Sequence, residues 1–226
     1  MNSSLPATIY KYLPRQYAER LLSEGEVLFR SLAYFLACED KRRDEFEGTH
    51  VYAPSGGLEI TNRTQGWTRR IPLSEFRASA KNLDVLFVFC TSLELRPDLA
   101  LKFGADACVE VMDLGRFVDR LKTAIRRDPR VKLKTLMHGE VEYYETGEPP
   151  GTVWPQPDRI VFNKPRSFTG EREFRFAFSL KPDAFDFENV EIKIAIGPTS
   201  KIEQGPLLQK KLKLGSMIDC CRPHYF

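Results

Sequence analysis

The sequence predicts an α+β fold: a single domain built on a mixed, strongly twisted β-sheet with helices packed around it. Three stretches carry that reading. Between Lys164 and Phe178 the chain reads K-P-R-S-F-T-G-E-R-E-F-R-F-A-F, a basic, proline-interrupted approach into an alternating strand. Residues 85–90 form a continuous apolar run, the pattern of a strand buried on both faces. After Asp113, the residues Leu114, Phe117, Val118, Leu121 and Ile125 recur at helical spacing, with Asp113 placed as the cap. Of 226 residues, 42% are hydrophobic and 29% charged, which is enough apolar material for a substantial core and too much for a disordered chain. No internal repeat, low-complexity segment or linker divides residues 1–226, so one domain is expected.

Taken in order, residues 9–12 read as a strand. Pro14 then suits the first turn of a helix with Ala18, Leu21 and Leu22 on its apolar stripe and Gly25 as its C-terminal cap. A second strand spans 27–30, and Ser31 caps a short helix carrying Leu32, Phe35 and Leu36. Residues 58–61 and 67–71 make a hairpin across N-R-T-Q-G. Residues 73–80 read as a helix with Ser74 near its start, and the apolar run at 85–90 ends at the hydroxyls of Thr91 and Ser92. A short helix at 97–102, a strand at 107–112 and the Asp113 helix follow. Residues 138–144 alternate like a strand, 146–157 are a Gly/Pro loop, and 158–163 a short helix. Gly170 offers an entry turn to the Phe-rich strand. Strands at 190–196 and 216–220, with a short segment at 204–213 between them, close the chain.

Composition narrows the function classes. A net charge of +3 does not diagnose nucleic-acid binding. No apolar run approaches the ~18 residues of a membrane span, and the N-terminus lacks the pattern of a signal peptide. The five cysteines are odd in number, include an adjacent pair and form no C-x-x-C, so a reducing cytoplasm is the expected compartment. Three histidines without H-E-x-x-H spacing make a His-based metal site unexpected.

Three groups of residues invite chemistry. On the late strand, Phe174, Phe176 and Phe178 face one way and Glu173, Arg175 and Ala177 the other, with Glu171 on the side of Glu173. An ordinary half-buried strand gives the same pattern, but two carboxylates meeting one cavity can also act together. The charged loop at 39–48 is either a solvated turn or a ligand-facing loop in which Arg42 or Arg43 meets an anion while Asp44 and Glu47 orient it. A third reading gives its acids, Asp40, Asp44 and Glu47, to a magnesium ion, with Glu173 joining them in a metal-dependent nuclease. Residues 116–134 set eight basic side chains against Asp119 and Asp128. A solvated helix face accounts for them, or Arg120, Arg126 and Arg127 contact nucleic acid or an acidic partner.

Ordered motifs then point to a resemblance. They are Tyr10-Lys11-Tyr12; Leu28-Phe29-Arg30-Ser31 leading to Phe35; Asp44-Glu45-Phe46-Glu47; Phe89-Cys90-Thr91-Ser92; Ala107-Cys108-Val109-Glu110-Val111; Val141-Glu142-Tyr143; and Phe162-Asn163-Lys164 ahead of Glu171-Arg172-Glu173-Phe174-Arg175. Over residues 9–197 this order resembles a widespread bacterial family met in phage-defence and mobile contexts. That family has the pattern Y-K-Y, N-D-P-F-E, C-F-S, G-V-C-I-x-F, F-x-K and E-x-E-Y-R. The chain departs from it at Arg43 and Glu45, where Asn and Pro are usual, and lacks the tryptophan often found after C-F-S.

More distantly, the arrangement is similar to small ADP-ribosyltransferases of the nucleic-acid-modifying toxin type. That resemblance implies NAD as cofactor, no metal, and nucleic acid or protein of a defence or toxin–antitoxin system as partner. It implies Glu173 as the carboxylate facing an oxocarbenium-like transition state, with Glu171 as its second. Tyr12 would be the stacking ring, Ser31 and Ser92 would flank the pocket, and Arg43 or Arg30 would hold phosphate. Lys11, Asp44, Glu47, Lys164 and Arg175 complete the expected ligand contacts. The alternative is a non-enzymatic component that binds a partner or ligand.

Overall fold

The computed structural model describes residues 4–37, 46–149, 151, 156–196 and 208–226. The chain opens with strand β1 (Ile9–Leu13), helix α1 (Arg15–Glu24), β2 (Glu26–Ser31) and α2 (Leu32–Ala37). Pro14 stands at the N-terminus of α1, and Gly25 ends it in the left-handed conformation with φ +64°. The charged loop leads to β3 (Thr49–Tyr52), then a hairpin of β4 (Leu58–Asn62) and β5 (Trp67–Ile71), then β6 (Ser74–Ala80) and β7 (Leu86–Ser92). Next come α3 (Pro97–Phe103), β8 (Ala107–Val111) and α4 (Leu114–Arg126), whose cap Asp113 accepts the Arg116 N–H. After these lie β9 (Met137–Glu140), β10 (Glu142–Tyr144), α5 (Pro157–Ile160), β11 (Asn163–Pro165), β12 (Glu173–Ser179), β13 (Val190–Ile196), β14 (Gln209–Lys213) and β15 (Cys221–Tyr225).

Eight strands form the main sheet. Its spine runs β14-β2-β7-β1-β8-β15, and β12 lies between β7 and β9. Every described ladder in it is antiparallel. The α+β class holds, while the expected mixing of strand directions is confined to the small parallel pair β10–β11. A second antiparallel sheet, β13-β6-β3, and the β4–β5 hairpin stand apart from the main sheet.

Alternation along β12 builds two cores. Phe174, Phe176 and Phe178 join Phe29, Phe87, Phe89 and the apolar stripes of α1 and α4. Ala177 faces the other way, into a smaller cluster with Leu32, Ala33 and Leu36 of α2 and with Val161 and Phe162. Glu173 and Arg175 share that second face, so the strand carries its charges into the protein and not to solvent.

Several expected elements change. Residues 74–80 are strand β6, because pairing with both β3 and β13 outweighs the helix propensity of the alanines. Strand β3 was not expected at all. Residues 138–144 split into β9 and β10 at Val141, whose N–H turns to the Glu173 carbonyl. Thr91 and Ser92 belong to strand β7, which continues past the apolar run. The Ser31 hydroxyl, just ahead of α2, accepts the Leu208 N–H 3.3 Å away. The turn into β12 is made by Arg172 at φ +45°, after a 3₁₀ helix (Arg166–Glu171) that contains Gly170. The closing strand lies at 221–225 and not at 216–220.

A Cβ added at Gly25 would come within 2.2 Å of the Gly215 carbonyl oxygen and 2.8 Å of Leu214 Cβ. Gly25→Ala therefore combines a left-handed backbone with a backbone clash. It should lower unfolding stability by about 1–3 kcal/mol, read from the urea midpoint; an unchanged midpoint would contradict the close approach of α1 to the turn after β14.

Candidate functional site

The sequence arranges charge around one fully buried guanidinium. Arg175 lies on β12, with β7 on one side and β9 on the other, and none of its surface reaches solvent. Its Nε donates to Glu173 Oε1 at 2.7 Å, and Nη2 to Glu173 Oε2 at 3.3 Å. Nη1 and Nη2 also grip Glu47 as a fork, at 2.6 and 2.9 Å, and Nη1 donates to the Val161 carbonyl at 2.6 Å. The five N–H groups of an arginine thus all find acceptors.

Lys164 on β11 extends the cluster. Its Nζ lies 2.9 Å from Glu173 Oε2 and 3.0 Å from Glu171 Oε2. Lys102 on α3 closes it at the surface, 2.8 Å from Glu171 Oε1. The left-handed turn at Arg172 is what lets Glu171, in the 3₁₀ helix, and Glu173, in the strand, meet one ammonium. Three carboxylates balance three cations, so the buried group carries no net charge. Burial alone would raise the Glu173 carboxyl; Arg175 and Lys164 outweigh it and hold the group well below the usual carboxylate range. Burial likewise opposes the charged forms of Lys164 and Arg175, yet Glu173 raises both. Burial, reinforced by Glu173, drives the neighbouring Cys90 thiol upward, so it stays protonated.

The resemblance-based residues divide between this cluster and other places. Glu171, Glu173, Lys164, Arg175 and Glu47 meet directly. Ser92 sits beside them, opposite Glu173 in the ladder, with its hydroxyl donating to the Glu171 carbonyl at 2.9 Å. Tyr12 is held elsewhere: its ring is buried against Leu99, Ala100 and Cys108, and its hydroxyl joins the Glu94 carbonyl and the Arg96 N–H. Lys11 points to the opposite face of β1, over the Phe89 ring and onto the Cys90 carbonyl. Arg30 covers the Tyr34 ring at 4.3 Å. Arg43 and Asp44, with Asp40, lie outside the described residues.

Among the described residues, no group of three His, Cys, Asp or Glu side chains comes together as a metal site. Glu47 and Glu173 meet across a guanidinium instead. On α4, Arg120 is engaged by both oxygens of Asp219, while Arg126 and Arg127 are exposed. Among the described residues, no helix is long and apolar enough to cross a membrane.

A cavity of about 350 Å³ adjoins the cluster and was not foreseen. Tyr143 forms its back wall and takes the Glu173 N–H on its hydroxyl at 2.9 Å. Burial pushes that phenol up to about 12, so it stays neutral. His50 and Tyr144 stack at 3.7 Å and 17°, and Asn163 Nδ2 lies 3.3 Å from His50 Nδ1. With the amide donating, the His50 proton sits on Nε2. Arg159 and Arg166 stand at the rim, paired with Glu142 and Glu145, and Glu148 joins them. The lining sets three carboxylates against two guanidiniums, so it is slightly acidic. One signal for this cavity was in the sequence: Asn163 and Lys164 alternate on β11, which sends one to the cavity and the other to the ion cluster.

No family model, curated protein or solved structure matches this chain.

Two measurements follow. Arg175→Met leaves Glu47 buried without its guanidinium and Glu173 with Lys164 alone, and should lower stability by about 3–5 kcal/mol, read from urea denaturation. Arg175→Lys should recover little of that loss, since an ammonium cannot reproduce the fork; a methionine variant as stable as wild type would show the ion cluster is not desolvated. Burial lowers the His50 pKa from 6.5 to about 4. The fold therefore prefers neutral His50, a contribution intact above pH 6.5 and lost as pH falls from there toward about 4. His50→Phe keeps a ring against Tyr144 and removes the titration, so its melting temperature should fall less than that of wild type between about pH 7.5 and about pH 5. Equal falls would place that sensitivity on another group.

Proposed function

We propose that the protein is a ligand-binding component whose cavity beside Tyr143 takes a small molecule with a flat, hydrogen-bonding ring, neutral or cationic, of the nucleoside class. The observation that carries this reading is a contrast. Glu173 and Glu171 are buried with both oxygens engaged by cations, whereas the adjoining cavity is lined by a ring stack, an amide and two guanidiniums whose ion pairs lie at its solvent side. The His50–Tyr144 stack supplies a face for an aromatic ring. The Asn163 amide, held by His50, can read the edge of a base. A polyphosphate fits less well, because the cavity's carboxylates outnumber its guanidiniums. In this reading the ion cluster is a rigid floor that holds Tyr143 and β11 in place.

The transferase reading stands second, and position supports it. The Tyr143 hydroxyl ties the cavity wall to the first residue of the glutamate-bearing strand. That chemistry requires Glu173 to exchange Lys164 for a ribose hydroxyl.

Calorimetric titration with adenosine, guanosine, nicotinamide riboside, ATP and NAD separates the two. Binding of at least one nucleoside, no tighter for its polyphosphate and weakened about ten-fold or more by Tyr144→Ala, is the expected result. Nicotinamide release from NAD that disappears in Glu173→Gln would favour the transferase. No heat from any of the five compounds would remove both readings of the cavity.

A further inference from the structure

The second sheet ends in an open edge. Among the described residues, β13 pairs with β6 on one side alone, over the full register from Val190↔Ala80 to Ile196↔Ser74. Such an edge presents a row of backbone donors and acceptors to any strand that can add to it. The strand contains no proline and no glycine to interrupt this edge, and its two charges, Glu191 and Lys193, are of opposite sign. Its side chains are apolar on one face and charged on the other. Ile192, Ile194 and Ile196 are 48%, 45% and 69% exposed, and Val190 continues their row into the core. Glu191 and Lys193 occupy the opposite face, 2.8 Å apart.

We propose that the partner for this edge is a second copy of the same chain, added antiparallel and centred on Ile192. In that register Glu191 of each copy faces Lys193 of the other, so the two-fold axis creates two opposite-charge cross-strand pairs. Ile192 faces its own copy, and Ile194 faces Val190. The two three-stranded sheets become one sheet of six, and the exposed isoleucines form one continuous apolar row.

Charge selects this register over its neighbours. Centring the pair on Lys193 sets that lysine against itself. Sliding by one residue puts isoleucines opposite Lys193 and Glu191, mixing the two faces. Centring on Ile194 places Lys193 opposite Ala195, so neither lysine meets a carboxylate across the seam. A foreign peptide would need to supply the complementary order of charges, which a copy of this strand already has.

The test is sedimentation velocity on the full chain across a concentration series. Wild type should show a concentration-dependent dimer. Glu191→Lys and Lys193→Glu each create two like-charge pairs per dimer and should weaken association about ten-fold or more. An equimolar mixture of the two variants restores both opposite-charge pairs and should dimerise again, as should the doubly exchanged chain. Recovery in the mixture excludes misfolding of either variant as the cause of its loss. A wild type that stays monomeric at the highest attainable concentration would overturn the proposal. So would a dimer indifferent to both single reversals, or a mixture that fails to recover.

Discussion

Everything near the candidate site depends on how a guanidinium is kept charged away from water. Arg175 is bulky, fully enclosed and set on a strand between β7 and β9. An unpaired charge there would be prohibitive, so the surrounding chain is arranged to supply acceptors. Glu173 comes from the same strand, two residues away; Glu47 comes from the loop before β3; a carbonyl comes from the end of α5. Lys164 and Glu171 then follow from Glu173, whose second oxygen meets Lys164 more closely than the guanidinium. The position of β11, the turn at Arg172 and the contact to α3 through Lys102 are all consequences of that chain of pairings.

Such a cluster is weak evidence for stability gained over an apolar core, because desolvating its five buried ionic groups offsets much of their attraction. Its physical value is direction. A fork of two parallel hydrogen bonds fixes angles as well as distances, so Glu47 and β12 can meet in one arrangement only. The cavity inherits that precision through the Tyr143 hydroxyl, and its His50–Tyr144 stack joins β3 to β10 across the same region.

Much of the fold was legible in the sequence, and the exceptions have local reasons. The Phe174, Phe176, Phe178 alternation, the Asp113-capped helix and Gly25 were readable because pattern and geometry coincide within a few residues. Residues 74–80 were not, since S-E-F-R-A-S-A suits either period and its strand state is decided by β13, more than a hundred residues later. Strand β15 hid behind Pro223, which a central strand would exclude; β15 is an edge strand, where proline is tolerated. The carboxylate cluster could be anticipated from E-R-E-F-R and F-E, but not its closure. Nothing in the local pattern says that Glu47 is the counter-ion of Arg175, or that Tyr12 is covered by α3. Those facts belong to topology.

The fork between Glu47 and Arg175 spans 128 positions of the chain. Water can leave the guanidinium only once that distant carboxylate has arrived, so hydrophobic closure of β12 against β7 is not sufficient to finish the molecule. A chain that packed its phenylalanines without Glu47 in place would leave that fork of the guanidinium with no carboxylate to close on. Contacts of such wide separation raise the contact order of the fold, so the closed interior ties an early segment of the chain to a late one.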